Sequence, residues 1–204
     1  MADAQTTPSS PFTRQLAPGR HGRRDGPAGV TAHEITGASL VSITVQRGQV
    51  PALVAKAREL LGLELPMAPR RVGNGRIEIT WAGPGRWTVM RAEGTVGQLA
   101  SELGSGLAGL ATVVDLSHAQ AVLRVSGPKI REVLAKGFAI DLHPRVFEAG
   151  QTAMTTVSHI AVQITRTAPE AAFEIAVPRS LAESLWHWLD ASAAEFGLDV
   201  PASR

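Results

Sequence analysis

Few side chains in this sequence could carry covalent chemistry, and their spacing keeps them apart. The 204 residues contain no cysteine and no tyrosine. That removes disulfides, iron–sulfur clusters, thiolate zinc sites, a cysteine nucleophile and a phenol acid or base. Chemistry is left to His, Asp, Glu, Ser, Thr and Lys. The six histidines, His21, His33, His118, His143, His159 and His187, show neither H-x-x-x-H nor H-x-x-E-H spacing, so a metal would need ligands gathered from remote segments. Asp115, Ser117 and His118 have the residue types of a hydrolytic relay. On a strand, however, Asp115 and Ser117 share one face and His118 takes the other, and no G-x-S-x-G elbow occurs. A strand-end turn with local hydrogen bonds is the expectation there. Gly104-Ser105-Gly106-Leu107-Ala108-Gly109 matches the dinucleotide pattern G-x-G-x-x-G. That pattern works only after a strand and before a helix, where the helix N-terminus faces the pyrophosphate; here a helix is expected before it and a strand after.

Charge points away from nucleic acid. The formal net charge is +2 and the pI about 9.7, because no thiol or phenol buffers a small excess of base. Arg14, Arg20, Arg23 and Arg24 fall in an acid-free stretch, whereas from Ile35 onward 16 Arg/Lys face 15 Asp/Glu. A nucleic-acid binder needs a basic stripe on its folded part. No run approaches the ~18 apolar residues of a membrane span, and the first 34 residues contain no apolar core of a secretory signal. Neither nucleic acid nor membrane is expected as a partner, and the cytoplasm is the expected compartment.

The elements that would have to position these groups follow from periodicity. Residues 1–34 are rich in Pro, Gly, Ser, Thr and Arg without a period, which predicts a flexible N-terminal tail whose Arg20, Arg23 and Arg24 could anchor it on a partner. Residues 35–204 read as one compact domain of two sub-units, about 35–118 and 119–197. The first predicts strands at 40–46, 76–81, 86–92 and 112–116, with a helix opening at Pro51 and closing at Gly62 and another over 95–103. The second predicts strands at 120–125, 152–158, 160–167 and 173–177. Its helices are one capped by Ser126 with Pro128 in the first turn, and a last one over 180–196. Strands pairing antiparallel beside helices give the fold class α+β, as two loosely repeated split-βαβ (ferredoxin-like) units. On the last helix, Trp186 and Trp188 sit on opposite shoulders of the apolar stripe and widen it to roughly 160°, against the ~100° of an ordinary surface helix. Either both rings pack at the core's edges or one meets another subunit.

Asp115-Leu116-Ser117-His118 through Gly137, then Ile140-Asp141-Leu142-His143-Pro144-Arg145-Val146-Phe147, resemble the gamma subunit of heterotetrameric sarcosine oxidase. So do Val177-Pro178-Arg179-Ser180 and Leu185-Trp186-His187-Trp188-Leu189. Gly83-Pro84-Gly85-Arg86-Trp87 is similar to a turn shared by folate-binding aminomethyltransferase-like proteins. The resemblance spans residues 40–197, and Phe138 stands where relatives are expected to carry Cys. It implies an aminomethyltransferase folate-binding-domain-like fold within a complex that demethylates sarcosine oxidatively to glycine. Such a complex yields hydrogen peroxide and methylenetetrahydrofolate, uses FAD, FMN, NAD, zinc and tetrahydrofolate, and contains alpha, beta and delta subunits. It implies no cofactor, metal or catalytic residue in this chain, which would be structural. The residues put forward for a subunit interface are Trp186, Trp188, Arg20, Arg23 and Arg24. Two rival readings are a stand-alone folate-binding aminomethyltransferase-like protein and a small-molecule sensor built on ferredoxin-like units.

Overall fold

The computed structural model describes residues 11–12, 16–95, 97–168 and 170–202. In chain order the strands are β1 (Gly19–His21), β2 (Val30–Glu34), β3 (Ser39–Val45), β4 (Arg71–Gly73), β5 (Ile77–Gly83), β6 (Arg86–Arg91), β7 (Ala111–Asp115), β8 (Gln120–Ser126), β9 (Thr152–Val157), β10 (Ile160–Ala168), β11 (Ala172–Pro178) and β12 (Leu198–Val200). The α-helices are α1 (Val50–Leu61), α2 (Gln98–Gly106), α3 (Ile130–Leu134) and α4 (Ala182–Ala193), the last entered through a 3-10 turn at Arg179–Leu181. The expected α+β class holds. From β3 to β7 and again from β8 to β12 the order is strand, helix, three strands, helix, strand. The repeat is therefore complete at the level of topology, with β4 and β12, each three residues long, added to the elements legible by periodicity.

The sheets repeat as well. The first is ordered β4-β5-β6-β3-β7 and the second β1-β12-β2-β8-β11-β10-β9. With β8 matched to β3 and β12 to β7, the second sheet is the first with β2 inserted between the strand pair that would otherwise be neighbours and β1 added at the edge beside β12. β2 pairs antiparallel with β8, Ala32 opposite Val125, and parallel with β12, Leu198 opposite Val30. Over its described part, the flexible tail expected for residues 1–34 is thus corrected. Val30 and Ala32 are fully buried in the second core, and Phe12 with them. The second unit also reaches back before residue 119 and past residue 197.

Local chemistry explains most boundaries. In α1, Pro51 sits in the first turn, where a missing N–H costs nothing. Gly62 closes the helix at φ 67, with its N–H donating to the Arg58 carbonyl in the left-handed cap glycine favours. Gly83-Pro84-Gly85 turns β5 into β6. α3 is shorter than the Ser126 cap predicted. Ser126 ends β8, paired with Ala172 and Thr31, and the helix starts after Lys129 with no side-chain cap. β7 and β8, close in sequence, do not form a hairpin; they belong to different sheets, and Leu116–Ala119 turns the corner between them.

Each sheet buries one face under its own two helices. The first core joins Val41, Ile43, Ile79, Trp87 and Val89 to Leu53 and Ala57 of α1 and to Leu99 and Leu103 of α2. The second joins Leu123, Val125, Ile164, Phe173 and Ile175 to Ile130 and Val133 of α3 and to Leu185, Trp186 and Leu189 of α4. Among the described residues no helix is long and apolar enough to cross a membrane.

The chain before β2 is strapped to the C-terminal end of α4. Arg23 N–H donates to the Ala194 carbonyl at 2.8 Å, and Gly22, at φ +67, lies so close that a Cβ would meet the Ala194 oxygen at 2.4 Å. Gly22→Ala is expected to lift this strap and cost about 1–3 kcal/mol. A thermal melt of the variant checks it, and an unchanged midpoint would contradict the contact.

Candidate functional site

The faces of the two sheets not covered by helices meet each other, and the residues gathered there are polar. On β8 and β11 the register sets Arg124 directly opposite Glu174, so both side chains leave the sheet on the same side. On β4, Arg71 stands opposite Thr80 of β5. The three charged residues converge across the seam. Arg71 Nη1 donates to Glu174 Oε2 at 2.5 Å and Arg124 Nη2 to Glu174 Oε1 at 2.7 Å. Arg71 also donates from Nε to Thr80 Oγ1 at 3.0 Å and lies 2.8 Å from Glu78 Oε2. Glu174 is 2% exposed, so both of its oxygens find their partners within the protein.

Neutral bonds extend the seam. Gln163 Nε2 donates to the Trp81 carbonyl at 2.8 Å. Thr165 donates to Thr152 Oγ1, which donates in turn to the Ile164 carbonyl, each at 3.0 Å. Beside them Thr152 N–H reaches the Pro69 carbonyl at 3.0 Å and Arg71 N–H the Gly150 carbonyl at 2.7 Å. The cavity that remains, lined by Leu40, Thr88, Met90, Val122 and the polar groups above, leaves about 20 Å³ for the centre of a water molecule. That is room for about one water, far below the roughly 300–1,000 Å³ of a small-molecule pocket. A carboxylate held by two guanidiniums, with space for about one water beside it, fastens the two units together.

At the open end of the seam, His33 of β2 stands opposite Arg124. His33 is exposed as a residue, yet partial burial, then the Arg124 charge, hold its pKa below the ordinary value, with Glu174 opposing. The unfolded chain therefore binds this proton more readily than the folded one, so the contribution is complete above about pH 6.5 and is lost as pH falls below it. His33→Asn is expected to show a smaller loss of melting temperature than the parent between pH 7.5 and 5.5; equal losses would count against it.

Two larger grooves open at the surface. One, of about 610 Å³, lies between α1, α2 and β5, with Leu60, Ile77, Leu99, Arg76, Arg91 and Glu102 in its walls. Arg91 Nη1 donates to Glu102 at 2.7 Å, and this bond holds Glu102 below the usual carboxylate range. The other, of about 470 Å³, lies between Pro69, Phe147 and β9 and carries Asp141, Arg70 and Glu148. Neither brings a nucleophile to a base. Asp115 and Ser117 do form the local turn expected of them: Ser117 N–H donates to Asp115 Oδ1 at 2.8 Å, and its hydroxyl accepts from Leu40 N–H at 3.0 Å. Hydrogen bonds from Ser117 keep Asp115 below the usual range. Gly104-Ser105-Gly106 forms the last turn of α2 with β7 after it, so no helix N-terminus faces that glycine run.

The structure separates the residues put forward for an interface. Trp186 is 3% exposed in the second core with the His21 ring edge-on to it at 5.6 Å. Trp188 packs edge-on to Phe138 at 5.7 Å and fills the space above Gly137. The Trp186 shoulder of α4 is therefore covered by the chain itself, while Trp188 on the other shoulder is half-buried. Arg20 is half-buried and donates to the Gly26 carbonyl at 2.6 Å. Arg23 and Arg24 remain exposed. The Arg71–Glu174–Arg124 clamp was not among the sequence expectations. Its one sequence signal is a charged residue set between core residues on a strand, Phe173-Glu174-Ile175 and Leu123-Arg124-Val125.

Residues 47–195 match the model of the sarcosine oxidase, gamma subunit family. The chain belongs to that family. Among its relatives, the sarcosine oxidase subunit gamma of Corynebacterium sp. (strain P-1) is 34% identical over 152 residues, covering 72% of this chain and 73% of the relative. That of Arthrobacter sp. is 32% identical over 171 residues, covering 82% and 81%. In the heterotetrameric sarcosine oxidase from Corynebacterium sp. U-96 in complex with pyrrole 2-carboxylate, one chain superposes with a TM-score of 0.78 at 25% identity, covering 96% of this chain and 97% of that one. The aminomethyltransferase T of the glycine cleavage system from Bartonella henselae shares the fold, with a TM-score of 0.61 at 20% identity over 82% of this chain and 49% of its own. The gamma-subunit fold is thus the aminomethyltransferase-like α+β fold expected of it.

Proposed function

We propose that this chain is the structural gamma subunit of a heterotetrameric sarcosine oxidase and contributes to assembly rather than to chemistry. The observation that carries this is the end-to-end likeness to one chain of a heterotetrameric sarcosine oxidase. The seam supports the non-catalytic part: the inter-sheet face of this fold is filled by the protein's own Arg71, Glu174, Gln163 and Thr165, with about one water's worth of space left. In this reading the complex works in the cytoplasm with alpha, beta and delta partners. It removes the methyl group of sarcosine to give glycine, passes two electrons and two protons to oxygen as hydrogen peroxide, and leaves the one-carbon unit on tetrahydrofolate as methylenetetrahydrofolate. FAD, FMN, NAD and zinc belong to the other subunits. The rival reading of a stand-alone folate protein shares the fold likeness and gains nothing from the filled seam.

The test compares cells expressing all four subunits with cells lacking this one. Loss of the intact assembly, with a fall in sarcosine-dependent peroxide production and a colourless isolated gamma chain, is the expected result. A three-subunit enzyme of full size and full activity would overturn the assembly role. Saturable binding of flavin or tetrahydrofolate by the isolated chain would overturn the non-catalytic one.

A further inference from the structure

We propose that the strap bearing Arg23 and Arg24 is a docking site for an acidic segment of a partner subunit, an inference that rests on the assembly reading above. Several cationic side chains gather at the C-terminal end of α4, and nearly all are used within the chain. Lys136 donates to the Ser192 carbonyl and to Glu195, both at 2.5 Å, and sits 4.9 Å from the centre of the Phe196 ring. Lys129 approaches the same ring at 5.7 Å and is paired with Glu132 at 2.8 Å. Arg20 is tied to Gly26. Among the described residues, Arg23 and Arg24 make no ion pair and no side-chain hydrogen bond, and the one carboxylate next to them in sequence is Asp25.

These two guanidiniums are mounted on a fixed support. β1 pairs with β12 from Gly19 opposite Val200 to His21 opposite Leu198. His21 then sits between the Ala17 carbonyl at 2.8 Å and the Asp190 carboxylate at 3.5 Å, and Arg23 N–H holds the Ala194 carbonyl. A rigid mount lowers the ordering cost of binding. Arginine is enriched at interfaces and grips carboxylates with two parallel bonds. Charge complementarity selects the occupant. Two unpaired cations beside paired ones suit a short run of Asp or Glu, while a phosphate backbone would need a basic stripe continuing across the fold, which the near-neutral body lacks.

The test uses the four-subunit complex immobilised through another subunit and washed with rising salt. Arg23→Glu/Arg24→Glu is expected to leave the complex at a salt concentration several-fold lower than the parent, because exposed charge pairs are screened over about 10 Å at 0.1 M salt. Arg76→Glu, which reverses an exposed charge on the other unit, is expected to elute with the parent. Arg24→Glu alone gives the same reading if the double variant shows a lowered melt. Elution of the reversed variants together with the parent would overturn the docking site. A parent gamma chain that never co-purifies would overturn the assembly reading instead, and with it the partner.

Discussion

A chain lacking residues 1–34 is expected to lose its cooperative fold and most of its soluble yield. β2 lies inside the seven-stranded sheet, with β8 on one side and β12 on the other. Removing it exposes the backbone groups of β8 that face Thr31 to Glu34, and each buried unpaired group costs about 1–3 kcal/mol. It also takes fully buried Val30, Ala32 and Phe12 out of the core, where burying one large aliphatic or aromatic side chain is worth about 1.5–3 kcal/mol. β1 is removed with it, so β12 loses both of its sheet neighbours at the same stroke. Together these losses rival the roughly 5–15 kcal/mol that holds a domain folded. Circular dichroism and a urea titration of the shortened chain measure the effect. A synthetic peptide of residues 11–34 added in excess is expected to restore a cooperative transition, because the cleft between β8 and β12 is shaped for a strand. A shortened chain that melts like the parent would remove β2 from the sheet.

Glu174→Ala is expected to cost about 3 kcal/mol. Removing one partner of a buried ion pair typically costs about 3–5 kcal/mol, because the other charge is left without compensation. The lower end applies here, since the Arg124 side chain is 42% exposed and can turn to water, whereas Arg71 at 15% cannot easily do so. Arg71 also keeps Glu78. Arg124→Ala is therefore expected to cost less than Arg71→Ala, and the ordering of the three variants in denaturant midpoint is a sharper check than any one value. An Arg124→Ala loss equal to that of Glu174→Ala would show that the clamp does not act through Arg71. As the clamp joins the two sheets, Glu174→Ala is also expected to separate a single unfolding transition into two, visible as a fall in the denaturant slope.

The contrast between what could and could not be read from the residues has a physical basis. α1 announces itself through Leu53, Ala57 and Leu61 at helical spacing with a proline at its start and a glycine at its end, and the strands from β5 to β11 alternate or run apolar over at least the five residues of β7. β2 escapes because its two core residues, Val30 and Ala32, are a short signal set among glycine and proline. Only pairing with a strand ninety residues on makes them core. β12 has three residues, too few for a period. The clamp could not be read because Arg71 and Glu174 are 103 positions apart, and spacing along the chain says nothing about charges that meet across two sheets. The local turn at Asp115 and Ser117 was legible, because its hydrogen bond is made within two residues, whereas the strand expected to carry Ser117 and His118 ends at Asp115. The tryptophans of α4 were legible as apolar shoulders, but the segments that pack on them, at His21 and Phe138, were not, because they are remote in sequence.

The inserted strand also sets the order of events on the ribosome. The first unit, β3 to β7, is contiguous and can close as soon as Asp115 has emerged. β2 is made before it, yet cannot pair until β8 and then β12 follow, a wait on the order of ten seconds at ordinary elongation rates. Through that interval the nascent chain carries one finished unit and, on its leading side, an unsatisfied strand that any other open sheet edge could take. The second unit is therefore completed by its oldest segment, and premature release of the chain before β8 leaves that segment with no partner strand, and before β12 with one of its two.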